Sequence, residues 1–241
     1  MIDYPETDGE PIAENTLQFE WIVKVKEGLD ALYREVPLVF VAGDLFWYPV
    51  EGDNRTRLSP DTMVVFGRPK GHRRSYLQWL EGGIAPQVVF EILSPSNRPA
   101  EMQHKFGLYE RFGVEEYYIY DPDSGLLEGY RRRAGALKKI RKMAGFVSPR
   151  LGIRFEPGEG PDNLVIVRPD GERFKTFQEV DDERKELARQ RNELVRERDE
   201  ASRQRDEASR QRDEVSRQRD EAAERAARYL AKLRELGIEA D

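Results

Sequence analysis

Residues 87–93 read QVVFEIL, and this run constrains the fold more than any other stretch of the chain. Apart from Gln87 and Glu91 its positions are apolar, largely β-branched or aromatic, and do not suit a strand with one wet face. They call for cover on both sides, as at the centre of a sheet packed between layers. Into this run the sequence sets a single acid, Glu91. An ionised carboxylate in such surroundings is costly unless a cation or a metal meets it. A second apolar run, TMVVF at 62–66, starts directly after Pro60 and Asp61 and reads as another buried strand.

The flanking segments complete a mixed α/β pattern. Leu17, Trp21, Val25, Leu29 and Leu32 recur at threes and fours and predict an amphipathic helix over 16–33. The stretch VPLVFVAGDLFWY at 36–48 is expected to be one strand, interrupted near Gly43 and Asp44. Pro99 in a first turn and Gly113 just past a last one punctuate a helix over 99–112. A third strand is expected at 117–120, and shorter runs around 126–132, 138–141, 153–155 and 164–168 read as a β-meander. The expected organisation is a flexible N-terminus over 1–14, one folded domain over 15–180, a charged helix over 181–236 and a short tail over 237–241.

The composition breaks near Asp181, where aromatic residues nearly vanish. Beyond it the heptad Arg-Asp-Glu-Ala-Ser-Arg-Gln occurs at 198–204 and 205–211, and again with Ala replaced by Val at 212–218. Leu187, Leu194, Ala201, Ala208, Val215 and Ala222 mark one small or apolar position per heptad. A firm coiled coil wants two. Oppositely charged residues four apart, such as Asp199 with Arg203 and Asp206 with Arg210, support an isolated helix by roughly 0.2–0.5 kcal/mol each. A solvated stalk and a weak coiled coil that makes a homo-oligomer both fit.

Composition also excludes. The chain has no cysteine and only His72 and His104, which removes disulfides, thiolate zinc sites and histidine-rich metal cages. The net charge of −6 argues against a generally basic nucleic-acid coat, so any such binding needs a local basic patch. The basic loop at 68–74 is one candidate. No leader or long apolar span is evident, and the expectation is a cytoplasmic protein with no membrane association.

Three residues stand out as candidates for chemistry. Asp61 enters one strand and Glu91 lies within the other. Met102, Phe106 and Tyr109 are expected to form the buried stripe of the helix, and Lys105 sits about 60° around from Met102, at roughly 100° per residue, so it borders the core face and can reach the sheet. Carboxylates at strand ends hold hard divalent cations such as Mg²⁺, and a nearby ammonium stabilises charge that develops on a phosphate. Tyr117, Tyr118 and Tyr120 alternate as core strand residues. Glu116 is expected to pair with a helix cation, His104 to lie on the surface and Asp121 to make a turn.

The segments PDTMVVFG and APQVVFEILSPSNRPAEMQHKFGLYERFGVEEYYIYDPDSG resemble the Uma2-type (DUF820) endonucleases of the PD-(D/E)XK, or restriction-endonuclease-like, superfamily. The resemblance runs over roughly residues 15–178 and is most specific over 86–122. It implies a mixed central sheet flanked by helices, followed here by the long charged helix or coiled coil. It also implies a Mg²⁺- or Mn²⁺-dependent endonuclease acting on nucleic acid, with DNA as the expected substrate. Asp61 matches the acid of the Pro-Asp motif, and Glu91 matches the acid of the next strand. The superfamily's lysine usually follows two residues later, where this chain has Leu93. In this family it comes from the next helix, which makes it Lys105. Many members carry Pro-Asp where this chain has Pro86 and Gln87, so Gln87 is expected to offer at most a neutral oxygen. Asp44, aligned with an upstream acid, is a supplementary ligand candidate. The alternative is a catalytically weak or inactive nuclease-fold adaptor that binds nucleic acid or protein and assembles through its C-terminal helix.

Overall fold

The computed structural model describes residues 2–6, 9 and 13–235. The expected 237–241 tail and much of the expected N-terminal flexible stretch lie outside the described residues. The chain divides into two compact units, the first ending at Glu179 and the second beginning at Val180.

The first unit is built on a six-stranded sheet, in the order β1 (Val39–Gly43), β3 (Thr62–Phe66), β5 (Val88–Ile92), β6 (Glu116–Asp121), β7 (Leu126–Arg133) and β8 (Ala136–Lys139). All neighbours are antiparallel except β5 and β6, which run parallel. A parallel pair cannot be joined by a hairpin, so the chain crosses over through α2 (Pro99–Arg111). Pro99 sits in the first turn of α2, and Gly113, at φ 96°, lets the chain leave it.

The run at 87–93 forms the expected central strand, with β5 buried along its whole length. Val88, Phe90 and Ile92 point to one face, where Trp21, Ile22, Val25 and Leu29 of α1 (Thr16–Leu32) pack. Asn15 caps α1 by accepting from the Gln18 amide at 2.8 Å. A three-stranded sheet of β9 (Phe146–Val147), β10 (Arg154–Pro157) and β11 (Leu164–Val167) adds Phe155, Leu164 and Ile166 to that core. Val89 points the other way, into a second core with Trp47, Met63, Val65, Tyr76, Tyr109 and Tyr117. That face is covered by α2 and by the short parallel pair β2 (Trp47–Tyr48) and β4 (Tyr76–Leu77). The result is a mixed sheet between two layers, as the sequence pattern requires.

Two expectations are revised. The stretch 36–48 is not one strand, because β1 and β2 belong to different sheets; Asp44, with φ 44° in the left-handed region, turns the chain between them. The expected meander is also divided, with β7 and β8 extending the main sheet and β9, β10 and β11 forming their own. Near the N-terminus, Tyr4 packs against Tyr48 and Trp79, and the Tyr48 hydroxyl donates to the Pro5 carbonyl at 2.5 Å.

The described residues of the second unit lie within α3 (Phe177–Glu235), a helix of 59 residues. Among the described residues no helix is long and apolar enough to cross a membrane.

Candidate active site

Strand register places the acids. Thr62 pairs with Phe90 across β3 and β5, so the next residues outward, Asp61 and Glu91, face each other where β3 begins and β5 ends. Gly43 pairs with Thr62 across β1 and β3, which sets Asp44 beside Asp61, and the Asp44 amide donates to the Asp61 carbonyl at 3.3 Å. On the other side Glu91 pairs with Ile119, and Ile119 with Glu128. One transverse row of the sheet thus carries Asp44, Asp61, Glu91, Ile119 and Glu128. Directly opposed like charges destabilise a sheet, so the facing pair of acids needs compensation.

Part of that compensation comes from α2. Lys105 and Tyr109 lie four residues apart on one helix face. The Lys105 ammonium meets Glu91 Oε2 at 2.8 Å, and the Tyr109 hydroxyl donates to Glu91 Oε1 at 2.5 Å. Glu91 is 3 % exposed. Burial pulls the Lys105 pKa down, but the charge and hydrogen bond of Glu91, with Asp61 behind it, outweigh burial and raise it, keeping the amine protonated. Tyr109 is fully buried, its ring parallel to Trp47 at 6.3 Å, and its phenol is held well above the usual range by burial first and by Glu91 second.

Asp61 is compensated less fully. Its Oδ2 accepts from the Ile92 amide at 2.6 Å. Desolvation, followed by the charge of Glu91, raises its carboxyl pKa well above the normal range; the Ile92 amide and Lys105 oppose the rise and Asp44 adds to it. The carbonyl of Ile92 is taken by the buried amide of Gln18 at 2.8 Å, which ties α1 to the end of β5. That anchor was not singled out from sequence; a polar residue inside an otherwise apolar helix face is the signal that marks it.

The structure therefore brings Asp61, Glu91 and Lys105 together, with Asp44 at their side. Asp44 is exposed at its turn and accepts from the Ser59 hydroxyl at 2.7 Å. Gln87 is not brought in. It lies at the far end of β5, about 13 Å along the strand from Glu91 at 3.3 Å per residue, and its Oε1 accepts from the Phe66 amide at 2.7 Å. It splices two strands and faces no acid of the site. Next to the site, a cleft of about 540 Å³ opens beyond the ends of the parallel pair, lined by residues that include Leu93, Ser94, Met102, Ile119, Asp121 and Glu128. Clefts at the carboxyl ends of parallel strands are common ligand sites.

Among the described residues no three His, Cys, Asp or Glu side chains converge as a metal cage. The donor chemistry still fits a hard divalent cation held at two points. Mg²⁺ is commonly bound by one or two carboxylates and completed by water and substrate phosphate oxygens. Desolvation first, and the charge of Glu91 second, raise the carboxyl of Asp61, and a cation held between Asp61 and Glu91 would offset both.

Other sequence expectations resolve differently. His104 is exposed, as expected. Glu116 does not pair with a helix cation; it accepts from the Tyr118 and Ser148 hydroxyls and from the Arg150 amide. Tyr117 packs in the core against Phe106, Tyr109 and Tyr130, yet its buried hydroxyl has no hydrogen-bond partner among the described residues. In the loop at 68–74, Arg68 and Arg73 are both held by Glu81, and Arg73 lies over the Phe40 ring. Uncommitted cations are found instead at the β7–β8 hairpin and just after it. Arg133, Lys138, Arg141 and Lys142 are exposed and make no ion pair among the described residues. The signal was present in sequence, since 131–142 contains seven cations and no acid.

A family model described as "Uma2: Putative restriction endonuclease" matches residues 28–154, a span that holds Asp44, Asp61, Gln87, Glu91 and Lys105 and stops short of α3. Among solved structures, a crystal structure of "a putative nuclease belonging to DUF820" from Anabaena variabilis is similar at 16 % identity and a TM-score of 0.44, covering 61 % of this chain and 84 % of that one. No curated protein matches the sequence.

Proposed function

The chain belongs to the Uma2 family, and from that premise we propose that it is a divalent-metal-dependent endonuclease that hydrolyses phosphodiester bonds of DNA. The observation that carries the reading is the facing pair of acids, half-buried Asp61 and buried Glu91, with Lys105 bound to one of them. A scaffold has no use for two opposed carboxylates at the core edge, whereas phosphoryl chemistry does. Asp61 and Glu91 would hold Mg²⁺ or Mn²⁺, which neutralises phosphate charge and makes water a better nucleophile.

The chain's own groups supply the rest. Tyr109 fixes the Glu91 carboxylate in one orientation through its hydroxyl. Lys105 keeps its positive charge in a desolvated position, where it can donate to a phosphoryl oxygen as negative charge builds there. Water gives up a proton as its oxygen bonds to phosphorus, the ester bond to the departing sugar oxygen breaks, and that oxygen takes up a proton from solvent. The exposed cations Arg133, Lys138, Arg141 and Lys142 would grip the phosphate backbone without reading bases.

The test is nicking of supercoiled plasmid with and without Mg²⁺ or Mn²⁺, by the wild type and by Glu91→Ala and Lys105→Ala chains whose folding is checked by circular dichroism. Metal-dependent cleavage by the wild type, with a loss of at least about 100-fold in each variant, supports the reading. Undiminished cleavage by Glu91→Ala overturns it. The adaptor reading is favoured by one observation: both oxygens of Glu91 are already engaged by Lys105 and Tyr109. It would be upheld by DNA binding without cleavage and without calorimetric uptake of millimolar metal.

A further inference from the structure

The charges of α3 carry information that its sparse apolar positions do not. With Leu187, Leu194, Ala201, Ala208, Val215 and Ala222 at heptad position a, the g position directly before each is Glu: Glu186, Glu193, Glu200, Glu207, Glu214 and Glu221. Position e is Arg at Arg184, Arg191, Arg198, Arg205, Arg212 and Arg219, and the row ends at Ala226 in the heptad of Ala222. Position d is polar, with Gln204, Gln211 and Gln218 in the repeated heptads.

These two flanking positions set partner choice and orientation when helices pair. In a parallel, in-register pair, g of one helix faces e of the following heptad on the other, so Glu200 of one copy meets Arg205 of the other, and Glu207 meets Arg212. In an antiparallel pair g faces g and e faces e, which opposes Glu to Glu and Arg to Arg along the whole length. The pattern is therefore complementary to itself in one orientation only. Within a single chain, Glu193, Glu200 and Glu207, and likewise Arg191, Arg205 and Arg212, make no ion pair among the described residues. The a-position side chains are also uncovered, with Leu187 at 68 %, Leu194 at 65 % and Val215 at 65 % exposure.

We propose that α3 is a self-recognition element: two copies of the chain pair through it as a parallel, in-register coil whose orientation is chosen by the Glu and Arg rows. Glutamine at d and alanine at a make the seam weak, so the pairing depends on charge and loosens with salt. Parallel pairing puts both helix N-termini, and with them the chain leading into both folded units, at one end. Two catalytic units so tethered suit cutting both strands of a duplex; this consequence rests on the nuclease reading, while the pairing itself does not.

Because the chain has no cysteine, one introduced thiol reports on orientation in the full-length protein. Ala201→Cys, at a, is expected to form a disulfide-linked dimer on mild oxidation, and Ser202→Cys, at the outward b position, is not. Sedimentation in low salt supplies the second arm. The Glu200→Arg/Glu207→Arg/Glu214→Arg chain and the Arg205→Glu/Arg212→Glu/Arg219→Glu chain should each lose the dimer, and an equimolar mixture should restore it as a heterodimer. A wild type that is monomeric at all concentrations, an Ala201→Cys chain that links no better than Ser202→Cys, or a mixture that fails to pair would each overturn the proposal. None of these readouts involves cleavage, so the outcome is independent of whether the nuclease reading stands.

Discussion

Glu91 and Glu116 are both buried glutamates in adjacent strands of one sheet, 3 % and 2 % exposed, yet their surroundings differ in kind. Glu116 sits at the start of β6, opposite Arg131 of β7, and its oxygens are filled by two hydroxyls and a backbone amide. Its neighbours finish the task of replacing water. Glu91 sits at the end of β5 and faces another acid, and the ammonium beside it also serves Asp61 by charge. Burial of a carboxylate is thus no signature of function by itself. An incomplete and partly repulsive charge balance is the informative feature, because a stable scaffold gains nothing from keeping it.

The comparison is tested most strongly by removing each carboxylate. Glu116→Ala leaves the Tyr118 and Ser148 hydroxyls and the Arg150 amide without their acceptor in the core. With three buried donors orphaned at about 1–3 kcal/mol each, it is expected to cost at least about 3 kcal/mol in denaturant unfolding. Glu91→Ala orphans Lys105 and Tyr109 but relieves Asp61, and its expected cost is below about 2 kcal/mol. Equal costs for the two would erase the distinction.

A smaller effect should appear in the pH dependence of metal-free stability. Folding raises the Asp61 pKa above its unfolded value, so between those values the folded state binds more protons than the unfolded chain. Stability then falls as pH rises from the ordinary aspartate range through the raised value, and levels off above it. Asp61→Asn removes this loss, so its melting temperature in chelator should exceed that of the wild type at neutral pH by about 2–4 °C per kcal/mol of repulsion relieved. A melting curve unchanged at every pH would show that the facing acids do not repel.

The smallest change is expected from Tyr109→Phe, which removes only the hydroxyl that steadies Glu91. Manganese affinity measured by calorimetry should weaken about 10-fold, at the low end for groups that orient a ligand. A loss as large as that of Glu91→Ala would mean that Tyr109 itself belongs to the metal site.

Much of this architecture was legible in sequence. The nearly all-apolar run at 87–93 required a central strand, and Pro99 and Gly113 bracketed α2 within a residue or so of its ends. The spacing on α2 put Lys105 at the edge of the core face, where it is found. Gln87 was misjudged because strand periodicity says which face a side chain shares but not how far along the strand its neighbours stand. The β7–β8 cations were visible as a run, but only pairing shows which charges are spent: Arg132 binds the Val114 and Glu110 carbonyls and Lys139 binds Glu128, while the exposed four are left over. The roles of Glu116 and Gln18 were not legible, because their partners lie 32 and 74 residues away at Ser148 and Ile92.

By itself the sequence determined the main helices and the central strands, the break near Asp181 and the self-complementary charge rows of α3, since each depends on propensity and periodicity within a short stretch of chain. Only the tertiary structure decided that Asp61 stands opposite Glu91, that Lys105 and Tyr109 close on the same carboxylate, and that Glu116 is fully satisfied. Those facts depend on strand register and on a helix crossing over a parallel pair, which join residues that the local pattern cannot relate.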